Sequence, residues 1–293
     1  MLRWRLLLGA LFIATLAGWM RLDYLTLPPG AWLLGLTLVV GLAAAGELVS
    51  LFAAAGYHPL SSVVYGGTAL VILSNALPLW WRPVSDEHAL ERLGWPLLAF
   101  MISCLVALLG EMRRYSQPGK SVVHVALAIF SVAYLGLSLS FAWQLRVLGG
   151  QAEGMVALAA LVMVVKMGDT GAYTVGRLIG KHKMAPRISP GKTIEGGAGA
   201  LSFACLGAWI AFTYLPGWMG CTLPLRPGSW LIFGLVVGLA GLLGDLAESL
   251  IKRDLNCKDS SSWLPGFGGV LDLVDSILFT APIAYLCWLL LRL

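Results

Sequence analysis

Long apolar runs interrupted by short polar clusters dominate the chain. A membrane-crossing helix needs roughly 17 to 25 mostly apolar residues. Nine runs bounded by charges, Pro or Gly approach or reach that length, over residues 6–20, 31–53, 59–80, 95–109, 122–145, 155–173, 198–214, 230–250 and 270–291. The pattern predicts an all-α, polytopic integral membrane bundle of about nine transmembrane helices. It forms a single membrane domain over 1–293, with amino-terminal helices over 1–150 and a charge-bearing part over 151–293. The first run is short, and Arg3 and Arg5 precede it as in a secretory signal peptide. No Ala-x-Ala type cleavage site is evident, so a retained span is expected.

Composition removes the competing classes. The chain is 58% hydrophobic and 12% charged, with mean hydropathy +0.82, whereas globular domains carry about 25% charged residues. A soluble or disordered protein is excluded. The formal charge of +5 is spread over too much apolar sequence for a nucleic-acid binder, and it reads instead as a topology signal. The amino terminus and the loops after spans two, four, six and eight hold Arg3, Arg5, Arg113, Arg114, Lys120, Arg177, Lys181, Lys183, Arg187, Lys192, Lys252, Arg253 and Lys258, thirteen residues. The other side holds six, Arg21, Arg82, Arg92, Arg146, Arg226 and Arg292, while Lys166 falls inside a span. This asymmetry predicts a multi-pass protein of the cell (inner) membrane with a cytoplasmic amino terminus and an external carboxyl terminus. Trp80, Trp81, Trp95, Trp218 and Trp230 fall near span ends, where interfacial aromatics belong. Cys104, Cys205, Cys221, Cys257 and Cys287 are too scattered for a disulfide framework or a zinc site.

The first 150 residues contain few intramembrane charges, so chemistry is expected in the second half. A carboxylate at the centre of a membrane helix costs about 2.5–3.5 kcal/mol, which makes each one a functional candidate. In the eighth span Asp245, Glu248, Ser249 and Lys252 stand at i, i+3, i+4 and i+7 and form one polar stripe. A local ion pair with Lys252 would merely neutralise that stripe. The ninth span opens with Asp272 and Asp275 one turn apart, at a helix end where carboxylates also serve as caps. The linker 258–269 is short enough to hold these spans as an antiparallel hairpin, in which Asp245 and Asp272 would face each other and share a divalent metal. Carboxylate oxygens suit Mg²⁺, which completes its shell with water and substrate phosphates.

The loop before the seventh span supplies cations, Arg177, Lys181, Lys183, Arg187 and Lys192, among Gly and Ser donors. Lys and Arg beside carboxylate-bound metal are equipment for phosphoryl or nucleotidyl transfer. A positive-inside anchor would explain the charge but not its company of Gly, Ser-Pro and Lys-Thr. Gly191-Lys192-Thr193 looks like the end of a Walker A motif, but the required earlier glycine falls at Pro186, and a P-loop is rejected. His182 is read as a phosphate or water contact. Glu47 in the second span either pairs with a distant cation or sits near the interface. Gly234, Gly238, Gly241 and Gly244 are spaced to let helices approach closely.

Two blocks carry a family resemblance. One is Ser249-Leu250-Ile251-Lys252-Arg253, Lys258-Asp259, Leu264-Pro265-Gly266-Phe267-Gly268-Gly269 and Leu271-Asp272-Leu273-Val274-Asp275-Ser276. The other is Gly168-Asp169-Thr170-Gly171-Ala172-Tyr173, Gly176-Arg177, Gly180-Lys181, Ser189-Pro190-Gly191-Lys192-Thr193 and Glu195-Gly196. Together they resemble the signature of the phosphatidate cytidylyltransferases, or CDP-diglyceride synthases, over about residues 166–282. Phe267 stands where the signature usually has His, and Leu273 where it has Arg. The resemblance implies a nucleotidyltransferase of phospholipid biosynthesis that converts CTP and phosphatidate to CDP-diacylglycerol and diphosphate. It implies Mg²⁺, leaves room for a second, monovalent cation, and suggests a homodimer in the lipid bilayer.

On this reading Asp245, Asp272 and Lys252 are catalytic, and Asp245, Asp272, Asp275 and Glu248 are metal ligands. Lys181, Lys183, Arg187, Ser189, Lys192, Thr193, Ser249, Arg253, Lys258, Asp259 and Asp169 bind substrate. No general base is required, because the attacking phosphate is already an anion. The competing readings are a secondary transporter or ion channel using buried carboxylates, and a catalytically lapsed relative. The first conflicts with the clustering of ionisable groups at one membrane face; the second rests on Phe267 and Leu273.

Overall fold

The computed structural model describes residues 2–78, 91–223, 226–261 and 268–292, with side chains from residue 14 to residue 291. Trp80, Trp81, Arg82 and the signature residues 262–267, Phe267 among them, lie outside the described residues, as do the side chains of Arg3, Arg5 and Arg292.

Helices account for most of the described chain. They are α1 (Leu2–Leu25), α2 (Ala31–Ala54), α3 (Ser61–Ser74), α4 (Gly94–Arg114), α5 (Ser121–Val147), α6 (Gly150–Ile179), α7 (Ile194–Met219), α8 (Ser229–Asp254) and α9 (Val270–Arg292). Six residues of α5, Val132–Leu137, form a π-helical turn. Seven described helices, α2 and α4 to α9, are long and apolar enough to cross a membrane, so the protein is a polytopic membrane bundle. The expected first and third spans correspond to α1 and α3. In α1 only 15 residues separate Arg5 from Arg21. At 1.5 Å per residue the 14 residues of α3 reach about 21 Å, against a hydrocarbon core of about 30 Å.

The chain separates into two compact units. The first contains Met1–Gln144 and Leu255–Leu273, the second Leu145–Asp254 and Val274–Leu293. The described linker residues 255–261 and 268–269 and the first turn of α9 therefore fold with the amino-terminal helices.

Within the first unit, Leu48 and Phe52 of α2, Val64 and Ile72 of α3 and Leu135 of α5 are buried in the core. Buried polar groups there find partners: Asn75 Nδ2 donates to Ser140 Oγ at 2.8 Å, and Gln144 Nε2 donates to Asn75 Oδ1 at 2.9 Å. Helix α2 follows Gly30, whose φ of 85° is accessible to glycine but rare for residues with a Cβ.

Within the second unit, α6 and α7 lie backbone to backbone. A Cβ on Gly171 would come within 2.5 Å of Gly199 O, and one on Gly199 would press on Val175. The spaced glycines of α8 work as expected, with Gly234 and Gly238 against Cys205 and Ala204 of α7 and Gly244 against Phe279 of α9. Phe212, Phe233 and Trp288 close this packing with ring centroids 5.3–5.8 Å apart. The basic segment between α6 and α7 is a small antiparallel hairpin, β1 (Lys183–Ala185) and β2 (Ser189–Thr193), with Lys183 opposite Thr193 and Ala185 opposite Ser189.

Candidate active site

The hairpin is fixed from below by the start of α7. Thr193 caps that helix, its Oγ1 accepting from Gly196 N at 3.1 Å, as a Thr at this position does. Glu195 reaches back to the loop: its Oε2 accepts from Lys181 N at 3.0 Å, and its Oε1 lies 2.6 Å from His182 Nδ1. His182, expected to meet phosphate or water, contacts this carboxylate through Nδ1 while its side chain stays 74% exposed. Arg253 Nε, at the end of α8, donates to Ile188 O at 3.2 Å. Hairpin, α7 and α8 are thus tied together by Thr193 and Arg253, expected at the substrate, and by Glu195, which was not.

Against this frame Lys192 Nζ extends to Asp245 Oδ2 at 2.7 Å. The contact joins the basic loop to the polar stripe of α8. Asp169 and Asp275 lie near enough to Asp245 for their charges to act on one another, with Lys166 and Lys192 as the nearby countercharges. Lys166 Nζ is 3.3 Å from Asp169 Oδ2. Three carboxylates, from α6, α8 and α9, and two ammonium groups therefore share one region of the second unit. The side chains of Asp245 and Asp169 retain 39% and 44% of their exposure, so both are open to a ligand. Glu248 is 1% exposed and pairs with Lys252 at 2.6 Å, the neutralising i,i+4 pair that the spacing permits. Ser249 is half-buried on the same helix, and Lys183 and Arg187 project from the hairpin into solvent.

Asp272, the expected partner of Asp245, belongs to the first unit. Its Oδ2 accepts from Gly269 N at 2.8 Å and Ser260 N at 3.0 Å, and lies 2.8 Å from Ser260 Oγ. Three residues into α9, it reaches back to the residue before the helix, as the acid of a capping box does. Lys258 and Asp259 stand exposed in the same linker. Glu47 enters this cluster from α2, with Oε1 2.8 Å from Val270 N, and Oε2 2.8 Å from Leu271 N and 2.9 Å from Ser260 Oγ. The partners seen for it are two backbone N–H groups and a hydroxyl rather than a cation. That its carboxylate falls in a long apolar run was visible in the sequence; its partners, more than 200 positions away, were not.

The carboxylate set of the second unit suits Mg²⁺. Among the described residues no three His, Cys, Asp or Glu side chains converge as a ready-made ion cage. Mg²⁺ does not need one, since one or two carboxylates with water and substrate phosphates complete its shell.

The Cytidylyltransferase family is matched over residues 5–291. The phosphatidate cytidylyltransferase of Staphylococcus aureus (strain COL) is 39% identical over 165 residues, covering 56% of this chain and 58% of that protein. Those of Staphylococcus saprophyticus and Staphylococcus epidermidis are 38% identical over the same length and shares. The matched region thus spans less than two thirds of these relatives.

Proposed function

This chain belongs to the cytidylyltransferase family, and from that premise we propose that it is a phosphatidate cytidylyltransferase of the bacterial inner membrane. It transfers the cytidylyl group of CTP to phosphatidate. A phosphate oxygen of phosphatidate attacks the α-phosphorus of CTP, the α–β P–O bond breaks, and diphosphate leaves with that electron pair. No proton has to be removed from the nucleophile. The observation that carries the reading is the Lys192–Asp245 contact, in which a cation from a Gly-rich hairpin meets a membrane-helix carboxylate beside two further acids.

Asp245 and Asp275, with Asp169 beside them, would hold Mg²⁺. When bound, the ion neutralises the converging phosphates and polarises the α-phosphoryl group. Lys192 releases Asp245 to substrate and contributes a charge-assisted hydrogen bond to phosphate, roughly twice as strong as a neutral one. Lys183 and Arg187, exposed on the hairpin, attract the triphosphate from the cytoplasmic side. Lys252 keeps Glu248 neutralised, so the inner face of α8 adds no further negative charge. A homodimer in the lipid bilayer and a monovalent cation beside Mg²⁺ complete the proposal.

The test is purified protein in phosphatidate-containing nanodiscs, supplied with CTP and Mg²⁺ and read by diphosphate release and CDP-diacylglycerol formation. Asp245→Asn should reduce turnover by at least about 10²-fold while the protein still inserts and melts normally, and chelation by EDTA should stop the wild-type reaction. Absence of CTP-dependent product in the wild type, or near-normal turnover in the variant, refutes the assignment.

A further inference from the structure

Helix α9 begins without a cap of its own. The first N–H groups of a helix have no intrahelical acceptor, and the residue before this helix, Gly269, has no side chain to offer one. Glu47 fills the role from another helix. Its two carboxylate oxygens take Val270 N–H and Leu271 N–H, each at 2.8 Å. One of them also takes the Ser260 hydroxyl, which stands 2.8 Å from Asp272 Oδ2. Gly269 is required by this arrangement, because a Cβ there would collide with both Ser260 Oγ and the Glu47 carboxylate. The missing side chain that deprives α9 of a local cap also makes room for the distant one. A carboxylate is well suited here, since it accepts at two oxygens and its charge faces the positive end of the helix.

We propose that Glu47 is a positioning residue: it caps α9 in trans and, with Ser260, fixes the axial and rotational setting of the first two turns of that helix, which carry Asp272 and Asp275. The kinetic consequence rests on the cytidylyl transfer proposed above; the cap itself does not. Glu47 touches no reacting atom. It acts by holding the acidic turns of α9 in register, and a displacement of about 1 Å in such a group is worth about 10²-fold in rate.

Glu47→Gln preserves shape but leaves one good acceptor oxygen where there were two. Amide hydrogen exchange at residues 268–273 should rise about tenfold, the worth of one net hydrogen bond. In the nanodisc assay kcat should fall about 10- to 100-fold, as for residues that orient a ligand set, with KM for CTP nearly unchanged. Ser260→Ala should cost less, and the double variant should be no slower than Glu47→Gln alone, since both act through one cluster. Unchanged exchange in Glu47→Gln, normal kcat with raised exchange, or multiplicative losses in the double variant would each overturn the proposal. If Glu47→Gln fails to insert, Ser260→Ala decides: unchanged exchange and kcat refute the cluster, and a loss in both supports it. If the wild type is inactive, the functional reading fails, and the exchange measurement alone decides the cap.

Discussion

Replacing Lys192 by Met separates a binding role from a structural one. Lys192 Nζ and Asp245 Oδ2 are 2.7 Å apart, with side chains 20% and 39% exposed. At an effective dielectric of about 20, unit charges at that separation attract by roughly 6 kcal/mol. Desolvation, side-chain ordering and screening at such exposure remove most of this, leaving about 1 kcal/mol net. The variant should therefore melt only ~2–4 °C lower. Its turnover should fall much further, about 10²-fold or roughly 2.7 kcal/mol, because the lost group faces charge that develops in the transition state. Thermal unfolding in detergent and diphosphate release, measured on the same preparation, give both numbers. Lys192→Met combined with Asp245→Asn should also lose less activity than the product of the single losses, since the partners share one site. A variant that melts several degrees lower and keeps more than a tenth of its turnover would make the pair a structural brace and refute the argument.

Two further substitutions test the frame around the site. Thr193→Ala removes the cap of α7 and its bond from Gly196 N; it should cost about 1 kcal/mol, visible as a small drop in the melting temperature. Gly199→Val would drive a branched side chain into Val175 and Gly171 O; overpacking of this kind costs about 1–3 kcal/mol or more, so reduced thermal stability and poor yield of folded protein in detergent are expected, and wild-type melting would show that α6 and α7 do not pack backbone to backbone.

The second unit was largely legible from sequence, for a specific reason. In a chain this apolar, each charge in an apolar run stands out, and Asp169, Asp245, Asp275 and Lys192, each named as a candidate, share one neighbourhood, while Asp272, expected to face Asp245, bonds instead to Ser260 and Gly269. The small-residue stripe of α8 also had a unique physical use, close helix approach. Two things were hidden. The hairpin at 183–193 is only three and five residues per strand, contains Pro190 and Gly191, and carries charges that the positive-inside tendency explains equally well. The partners of Asp272 were obscured too, because an acid in a first helical turn reads alike whether it holds metal, substrate or its own backbone. Glu47 stood out in the sequence without a definite partner, because its acceptor role depends on backbone groups that only folding brings near.

Glu47 has a counterpart within the first unit. Asp23 of α1 is fully buried and accepts from Gly30 N at 3.0 Å, Trp32 N at 3.0 Å and Leu33 N at 3.2 Å, which gives α2 an acidic cap from the preceding helix. Both capped helices follow a glycine, and both glycines serve a turn that a Ser or Asp cap would not fit: Gly30 has φ 85°, and Gly269 lies in the crowded contact with Ser260. In water such helix ends would find solvent acceptors. In a protein with this much apolar surface a bare N–H has none, and leaving it unmet is costly. A carboxylate from a neighbouring helix satisfies two or three such groups at once and complements the helix dipole. Hence a lone acid in an otherwise apolar run has a second physical explanation besides substrate or ion chemistry: it caps the amino terminus of another helix, where the preceding glycine has no side chain to do so.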